Sequence, residues 1–347
     1  FETLTTVKAI NGTQQLENGA VVIEDADEVL IKTKINYLDD AAKTNRPDIR
    51  KYLDELPDNY QALFAKHASI HAAMFNTVQL VLTDPSESAR TNDDVLTEAA
   101  AKGATPVFLE RAHAMGGYHL MAAAGEYFSP LQGIWGASWN PAWFGGFVFD
   151  SNVNLQIAGA PMGNMNGVME SYMQFLERQL PGFRLNAKKT YGVDQGFIIG
   201  HYSDQRNGYS IRYNQTHAWP FWSGGFGWNL RPFYDYYLTN RNEEFLRTRV
   251  YPLYKELANM YVAILQKDKN GETMIIPSFS PENTPAGHFK GKSKLTYNST
   301  IDIAVFKEVF RIAGETARKF NMHDKEVEQR QKASNSLPAY RINTDGG

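Results

Sequence analysis

Over long stretches of this chain apolar residues recur every three or four positions, a spacing that gathers them on one face only if the backbone is α-helical. Between Arg46 and Leu82 the stripe runs through Tyr60, Leu63, Phe64, His67, Ile70, His71, Met74 and Phe75. It predicts one long amphipathic helix, or two broken at Pro57. Thr105-Pro106 opens a further helix to about Ala124, another covers roughly 165 to 180, and a third follows Trp219-Pro220. A fourth begins at Asn242-Glu243-Glu244 and places Leu253, Leu257, Met260 and Ile264 together. Ser299 caps a helix striped by Ile301, Val305, Val309 and Ile312, and a last one covers about 322 to 335. Residues 1 to 38 differ: β-branched runs separated by Asn11-Gly12 and Asn18-Gly19 predict two to four strands. The expected fold is mainly α, a layered helical array preceded by a few β-strands. No short repeat period is present, which disfavours a solenoid.

The unusual residues lie in the connections. Residues 125 to 164 form a segment dense in Gly, Pro, Trp and Asn, long for a loop without a task. Residues 190 to 217 resemble it, with His201, Asp204, Arg206, Arg212 and His217, and residues 277 to 287 read PSFSPENTPAG. Long loops over helices sketch one face of a helical barrel. All 6 tryptophans, Trp135, Trp139, Trp143, Trp219, Trp222 and Trp228, fall in the middle of the chain. Two readings stand beside each other: large side chains filling the centre of a helical domain, or a stacking surface for sugar rings.

Composition removes several classes. With 43% hydrophobic and 21% charged residues among 347, the chain has the usage of a folded globular protein with a sizeable core. No run of apolar residues is long enough for a membrane span. The net charge of −3 and the scattered basic residues provide no stripe for phosphates, so nucleic acid is not expected as a partner. There are 0 cysteines, which excludes disulfides and thiolate chemistry and leaves the compartment open. The chain opens on Phe1, without a basic or an apolar leader region, and reads as processed or trimmed.

Glu282 is the lone carboxylate of the proline-rich loop, beside Pro281 and close to Pro285. Two fixed φ angles reduce the entropy lost in holding a side chain still, which suits a general acid. In an aromatic, partly dry pocket its pKa would rise. The competing reading is a turn cap or a partner for a surface arginine. Asn152 and Asn154, in DSNVN, would project to one side of an extended segment and could orient a water or hold sugar hydroxyls; an Asn-rich turn satisfying its own backbone is the alternative. Asp150, Gln156 and Asn164 extend that polar set. Asp302 follows Ser299 at capping-box spacing, which predicts a helix cap. His119 shares a stripe with Phe108 and Met115, as a buried hydrogen-bonded histidine would. His67 and His71 have zinc-ligand spacing but an apolar face and no HExxH, so no metal and no cofactor is expected. No GxSxG, Walker loop or GxGxxG occurs.

Together the loops resemble glycoside hydrolase family 95. LQGIWGASWNPAWFGGFVFDSNVNLQ is similar to that family's segment leading to Asn-x-Asn, and WPFWSGGFGWNLRPFYDYYLTNRNEEFLRTRVYPLYKELANMY to its helix pair. SFSPENT is similar to its Ser-Pro-Glu-Asn, STIDIAVFKEVF to its Thr-Met-Asp helix, and LPAYRINTDGG to its Leu-Pro-Pro-Tyr stretch, in the same order from about residue 60 to 347. The resemblance implies an (α/α)6 barrel, incomplete in this chain, behind an N-terminal β-sandwich. Residues 1–38 would be the sandwich's last strands, 39–84 a helical linker and 85–347 the truncated barrel. It implies an inverting exo-acting enzyme that removes a terminal α-L-fucosyl residue from an oligosaccharide or glycan, or its α-L-galactosidase counterpart, or a catalytically silent sugar-binding relative, in a periplasmic or secreted setting. Glu282 would be the acid, Asn152 and Asn154 the amides that position the attacking water, and the aspartate base would lie beyond Gly347. Trp135, Trp143, Trp219, Trp222, His201 and His217 would line the pocket, with Asp150 and Asn283 also binding substrate. Two departures mark this chain: NVNLQIAGAP replaces the family's Asn-x-Asn-x-x-Met-Asn-Tyr-Trp, and Asp150 stands where His or Thr is usual, near the group that separates L-fucose from L-galactose.

Overall fold

A computed structural model describes residues 1–38, 40, 42–136, 138–203, 207–209, 218–285, 293–323, 325–340 and 342. The chain divides into two units, Phe1–Asn76 and Thr77–Gly347.

In the first unit, strand β1 (Glu2–Ile10) pairs antiparallel with β4 (Glu28–Asn36), from Glu2 opposite Asn36 to Ile10 opposite Glu28. Between them β2 (Thr13–Glu17) and β3 (Ala20–Glu24) form a hairpin. Its tip is Asn18-Gly19 with φ of 51° and 81°, the left-handed pair that a two-residue turn between twisted strands requires. Helix α1 (Arg46–Glu55) lays Ile49 and Leu53 against β1 and β4. The Lys32 ammonium donates to the carbonyls of Leu53 and Leu56, satisfying orphan acceptors at the negative end of the helix. The helix stops because Leu56 precedes Pro57 and is driven to extended angles, φ −75° and ψ 139°. Helix α2 (Tyr60–Phe75) follows, so the stripe is two helices. No residue of α2 is buried, although its sequence predicts an apolar face.

The second unit is helical. Helix α3 (Asn92–Lys102) is capped by Thr91 and α4 (Pro106–Ala123) opens on its proline. A long segment then leads to the two-residue strand β5 (Phe147–Val148) and the short helix α5 (Asn152–Gln156). Helices α6 (Asn166–Arg178) and α7 (Leu180–Tyr191) stand where the spacing predicts one element. Pro181 lies in the first turn of α7, where its missing N–H costs nothing, so the chain starts a new helix there. Strand β6 (Tyr202–Ser203) precedes α8 (Gly225–Asn240). After the left-handed Arg241, Asn242 caps α9 (Glu243–Phe245), which continues through a π-helical turn, Leu246–Val250, into α10 (Tyr251–Ile264). A small hairpin of β7 (Gln266–Lys267) and β8 (Thr273–Met274) leads to α11 (Thr300–Lys319) and α12 (Lys325–Asn335).

Helix α8 is the wall around which the unit packs, in contact with α5, α6, α10 and α11. The core is largely aromatic: Phe149, Tyr172, Phe175, Phe183, Phe197, Phe226, Phe233, Tyr254, Tyr261 and Phe306 are all buried. The Tyr261 and Phe306 rings stack 3.5 Å apart between α10 and α11. The run Ser223-Gly224-Gly225-Phe226-Gly227 lets α8 approach α11 closely. A Cβ on Gly227 would come within 2.5 Å of Val305, and one on Gly224 within 2.8 Å of the Asp302 carboxylate.

Candidate active site

Two loops meet first. Strand β5 pairs with β6, Phe147 opposite Ser203 and Val148 opposite Tyr202, and the Phe149 N–H donates to the His201 carbonyl at 2.9 Å. That short ribbon places Asp150 beside His201, Oδ1 to Nε2 3.4 Å, both side chains largely buried. The two atoms are close without hydrogen-bond geometry, and Asp150 Oδ1 has no hydrogen-bond partner. Asn229 on α8 secures the ribbon. Its side-chain amide donates to the carbonyls of Phe149, at 2.8 Å, and Gly225, at 2.9 Å, while its backbone carbonyl accepts from the Tyr172 hydroxyl at 2.6 Å.

The proline-rich loop brings the third residue. Ser278 forms a backbone bridge with Thr296, its N–H donating at 2.9 Å and its carbonyl accepting at 2.8 Å. Phe279 is fully buried against the Trp219 indole, edge to face at 5.1 Å. Asn283 closes a turn on Ser280, backbone N–H to carbonyl at 2.7 Å and side-chain amide to hydroxyl at 3.0 Å. Glu282 is held exposed at the head of that turn. Donor atoms of Asp150, His201 and Glu282 all lie within 4.8 Å of one another. A small cation would accept the same types and spacing, though exposed acidic groups are common without one.

Trp219 ties the arms together. Its indole stacks on the His201 ring at 3.7 Å and 10°, while its edge contacts Phe279. Tyr202 packs edge-on to His201 at 4.4 Å. Trp222 does not line a pocket: it is fully buried in a small apolar cluster with Ala218, Trp219 and Phe279, and Trp219 is itself nearly buried, its indole covered by His201 and Phe279. Trp143 and Trp135 are exposed, and Trp135 meets His119 at 4.6 Å. Trp143 and Phe144 hold φ of 50° and 58°, a strained region for bulky side chains, and both rings face solvent. The Gly146 of the same turn sits against the Tyr202 ring, where a Cβ would approach to 2.6 Å. His217, Asp204, Arg206 and Arg212 lie outside the described residues.

The Asn-x-Asn segment is helical rather than extended. Asn152 and Asn154 open α5, where a two-residue step turns side chains about 200° apart. Accordingly Asn152 is half-buried and Asn154 is buried. Asn154 Nδ2 reaches the Trp228 carbonyl at 3.5 Å and its Oδ1 is a buried acceptor without a partner. Asn283, read as a substrate contact, has its amide engaged by Ser280.

Asp302 is the residue whose role the spacing misses. Ser299 does cap α11, accepting from the Asp302 N–H. The Asp302 carboxylate does not complete a capping box, because the Ser299 N–H goes to the Ser278 hydroxyl at 3.1 Å. Instead Oδ1 accepts from the Gly224 N–H at 2.9 Å, and Oδ2 accepts from the hydroxyls of Ser278 and Ser299 and the N–H of Phe279. Burial pushes this carboxyl up to about 6, from an ordinary 3.8, against the downward pull of those donors. The lone amide of Asn229 within GFGWNLRPFYDYY is a comparable signal, a polar group on an otherwise apolar helix face.

The arrangement of helices belongs to the (α/α)6 barrel class. A solved structure, a putative kojibiose phosphorylase from human microbiome, matches with a TM-score of 0.60 at 10% identity, over 99% of this chain and 44% of that one, a likeness of fold alone. Residues 59–347 match the glycosyl hydrolase family 95 catalytic domain, and the chain belongs to that family. It is 27% identical to alpha-L-fucosidase 2 of Arabidopsis thaliana over 297 residues, 83% of this chain and 35% of that protein. It is 25% identical to the probable alpha-fucosidase A of Aspergillus niger over 238 residues, 65% of this chain and 29% of that one. The chain thus spans about a third of the length of these curated relatives. No helix among the described residues is long and apolar enough to cross a membrane.

Proposed function

We propose that the chain forms part of the catalytic domain of an inverting, exo-acting glycoside hydrolase that removes a terminal α-L-fucosyl residue from an oligosaccharide or glycan. The observation that carries this reading is the approach of Glu282 to Asp150 and His201 within 4.8 Å, at the meeting of three loops. Glu282 stands on a pinned turn with its carboxyl exposed, as a proton donor to an incoming glycosidic oxygen must be. The C1–O bond breaks as that oxygen takes the Glu282 proton. A water attacks C1 from the opposite face and gives its proton to a carboxylate base, releasing the β-anomer. The unpartnered Oδ1 of buried Asn154 supports a water-positioning role, since a buried acceptor is costly unless something donates to it. The geometry of an inverting site sets the base about 6.5–9.5 Å from Glu282.

One observation favours the α-L-galactosidase alternative. Asp150 Oδ1 has no hydrogen-bond partner and faces the cluster, ready to accept from a sugar that offers a further hydroxyl. The test is NMR of the anomer first released by the full-length protein from α-L-fucosides and α-L-galactosides. Initial β-product is expected; initial α-product overturns inversion, and no release of either sugar overturns the glycosidase reading in favour of a silent sugar-binding relative.

A further inference from the structure

One carboxylate, Asp302, joins the segments that build both sides of the site. It is fully buried in the first turn of α11 and accepts from donors on three separate stretches of chain. Ser278 and Phe279 belong to the loop that carries Glu282, Ser299 is the cap of its own helix, and Gly224 ends the turn that begins at Trp219. A helix cap alone would need only Ser299. The N–H that Asp302 would take in a capping box is already given to Ser278, so the carboxylate faces across the fold rather than back along its helix. Tyr191 and Tyr261 are the other titratable side chains that act on it, and Tyr261 donates to the Ser223 carbonyl at 3.2 Å, beside Gly224. Among the described residues its partners are hydroxyls and amides, with no cation. From this pin to Glu282 the chain has little freedom: Ser278 is bridged to Thr296, Phe279 is buried on Trp219, and Pro281 lies within the turn that Asn283 closes on Ser280.

We propose that Asp302 is the positioning residue of the general acid: by binding Ser278, Phe279 and Gly224 at once it holds the Glu282 loop in register with the Trp219–His201 wall. This rests on the reading of Glu282 as the acid. Loss of the pin displaces the proton donor from the leaving oxygen, and a displacement of about 1 Å is enough to cost roughly a hundredfold in rate. Such a loss has a signature that general destabilisation lacks. A leaving group that needs its proton, such as the sugar alcohol of an oligosaccharide, suffers, whereas a nitrophenolate that departs unprotonated does not.

The experiment is steady-state kinetics of the full-length protein on a fucosyl oligosaccharide and on a dinitrophenyl α-L-fucoside, comparing wild type, Glu282→Gln, Asp302→Asn and Ser278→Ala. For Asp302→Asn and Ser278→Ala the expected result is a kcat loss on the oligosaccharide at least about tenfold greater than on the aryl fucoside, with KM nearly unchanged, a smaller copy of the Glu282→Gln pattern. Equal losses on the two substrates, or no loss, while Glu282→Gln keeps its selective defect, overturn the proposal and leave the acid assignment standing. If Asp302→Asn does not fold, Ser278→Ala, which removes a single hydroxyl, decides by the same ratio. A Glu282→Gln protein without a selective defect removes the acid assignment, and the proposal falls with it.

Discussion

The imidazole of His201 lies flat on the indole of Trp219, ring centroids 3.7 Å apart and 10° from parallel. Phe279 packs perpendicular to the same indole at 5.1 Å, so one side chain holds both the histidine beside Asp150 and the root of the loop that presents Glu282. Trp219→Ala removes a nearly buried aromatic and leaves a cavity between them, at an expected cost of about 3–5 kcal/mol. Trp219→Phe retains part of the stack and should remain folded with reduced kcat. Chemical denaturation and kinetics on the two variants separate these effects.

Glu282→Gln acts on an exposed side chain that makes no packing contribution to the core. Its stability should stay within about 0.5 kcal/mol of wild type. Its activity on a substrate with a poor leaving group should fall by about 10²–10⁴, the usual worth of a general acid. Thermal unfolding and single-substrate rates test both halves.

Asn154→Leu should also separate stability from function. The exchange replaces a buried amide whose Oδ1 is unpartnered with an apolar group of similar size. Removing that unmet acceptor is offset by loss of the Nδ2 bond to the Trp228 carbonyl, which has no helical partner because Pro232 lacks an N–H. Stability is therefore expected to change by less than about 1 kcal/mol, while the attacking water loses its guide and activity is abolished. Urea unfolding of the variant, read with its turnover, checks the pairing.

Asp302 gives a pH dependence. Its folded-state pKa, about 6, lies above the ordinary 3.8, so the folded chain holds this proton more tightly than the unfolded chain does. The stabilisation from that tighter proton is fully present below about 3.8 and is lost as pH rises through about 6. Wild type minus Asp302→Asn should therefore be more favourable at pH 4 than at pH 7, by up to roughly 3 kcal/mol for a shift of this size. Denaturant midpoints of both proteins across that range decide it; a difference that does not vary with pH counts against the assignment.

Much of the scaffold was legible from periodicity. The stripes on α10 and α11 and the Ser299 cap follow from side chains three and four apart, and the Asn18-Gly19 turn follows from local φ requirements, whereas α4 forms where expected but leaves Met115 and His119 of its stripe exposed. The break between α6 and α7 was harder to read, because Pro181 sits where a helix tolerates proline and the apolar pattern passes across it. The two-residue strands β5 and β6 carry no periodic signal at all, since their pairing partner is far away in the chain.

The candidate site divides in the same way. Sequence by itself determined that Glu282 would stand on a stiff loop and that Asp150, Asn152 and Asn154 would travel together, because proline geometry and chain proximity are local. Only the tertiary structure decided that Asp150, His201 and Glu282 meet, that Asn152 and Asn154 diverge on a helix, and that Trp219 and Trp222 are both buried, with Trp219 packed between His201 and Phe279. It also turned Asp302 from a helix cap into a tie between three segments. These outcomes depend on which distant donor reaches a buried group first, and on which face of a loop finds apolar company. Residue spacing along one strand of chain does not encode either.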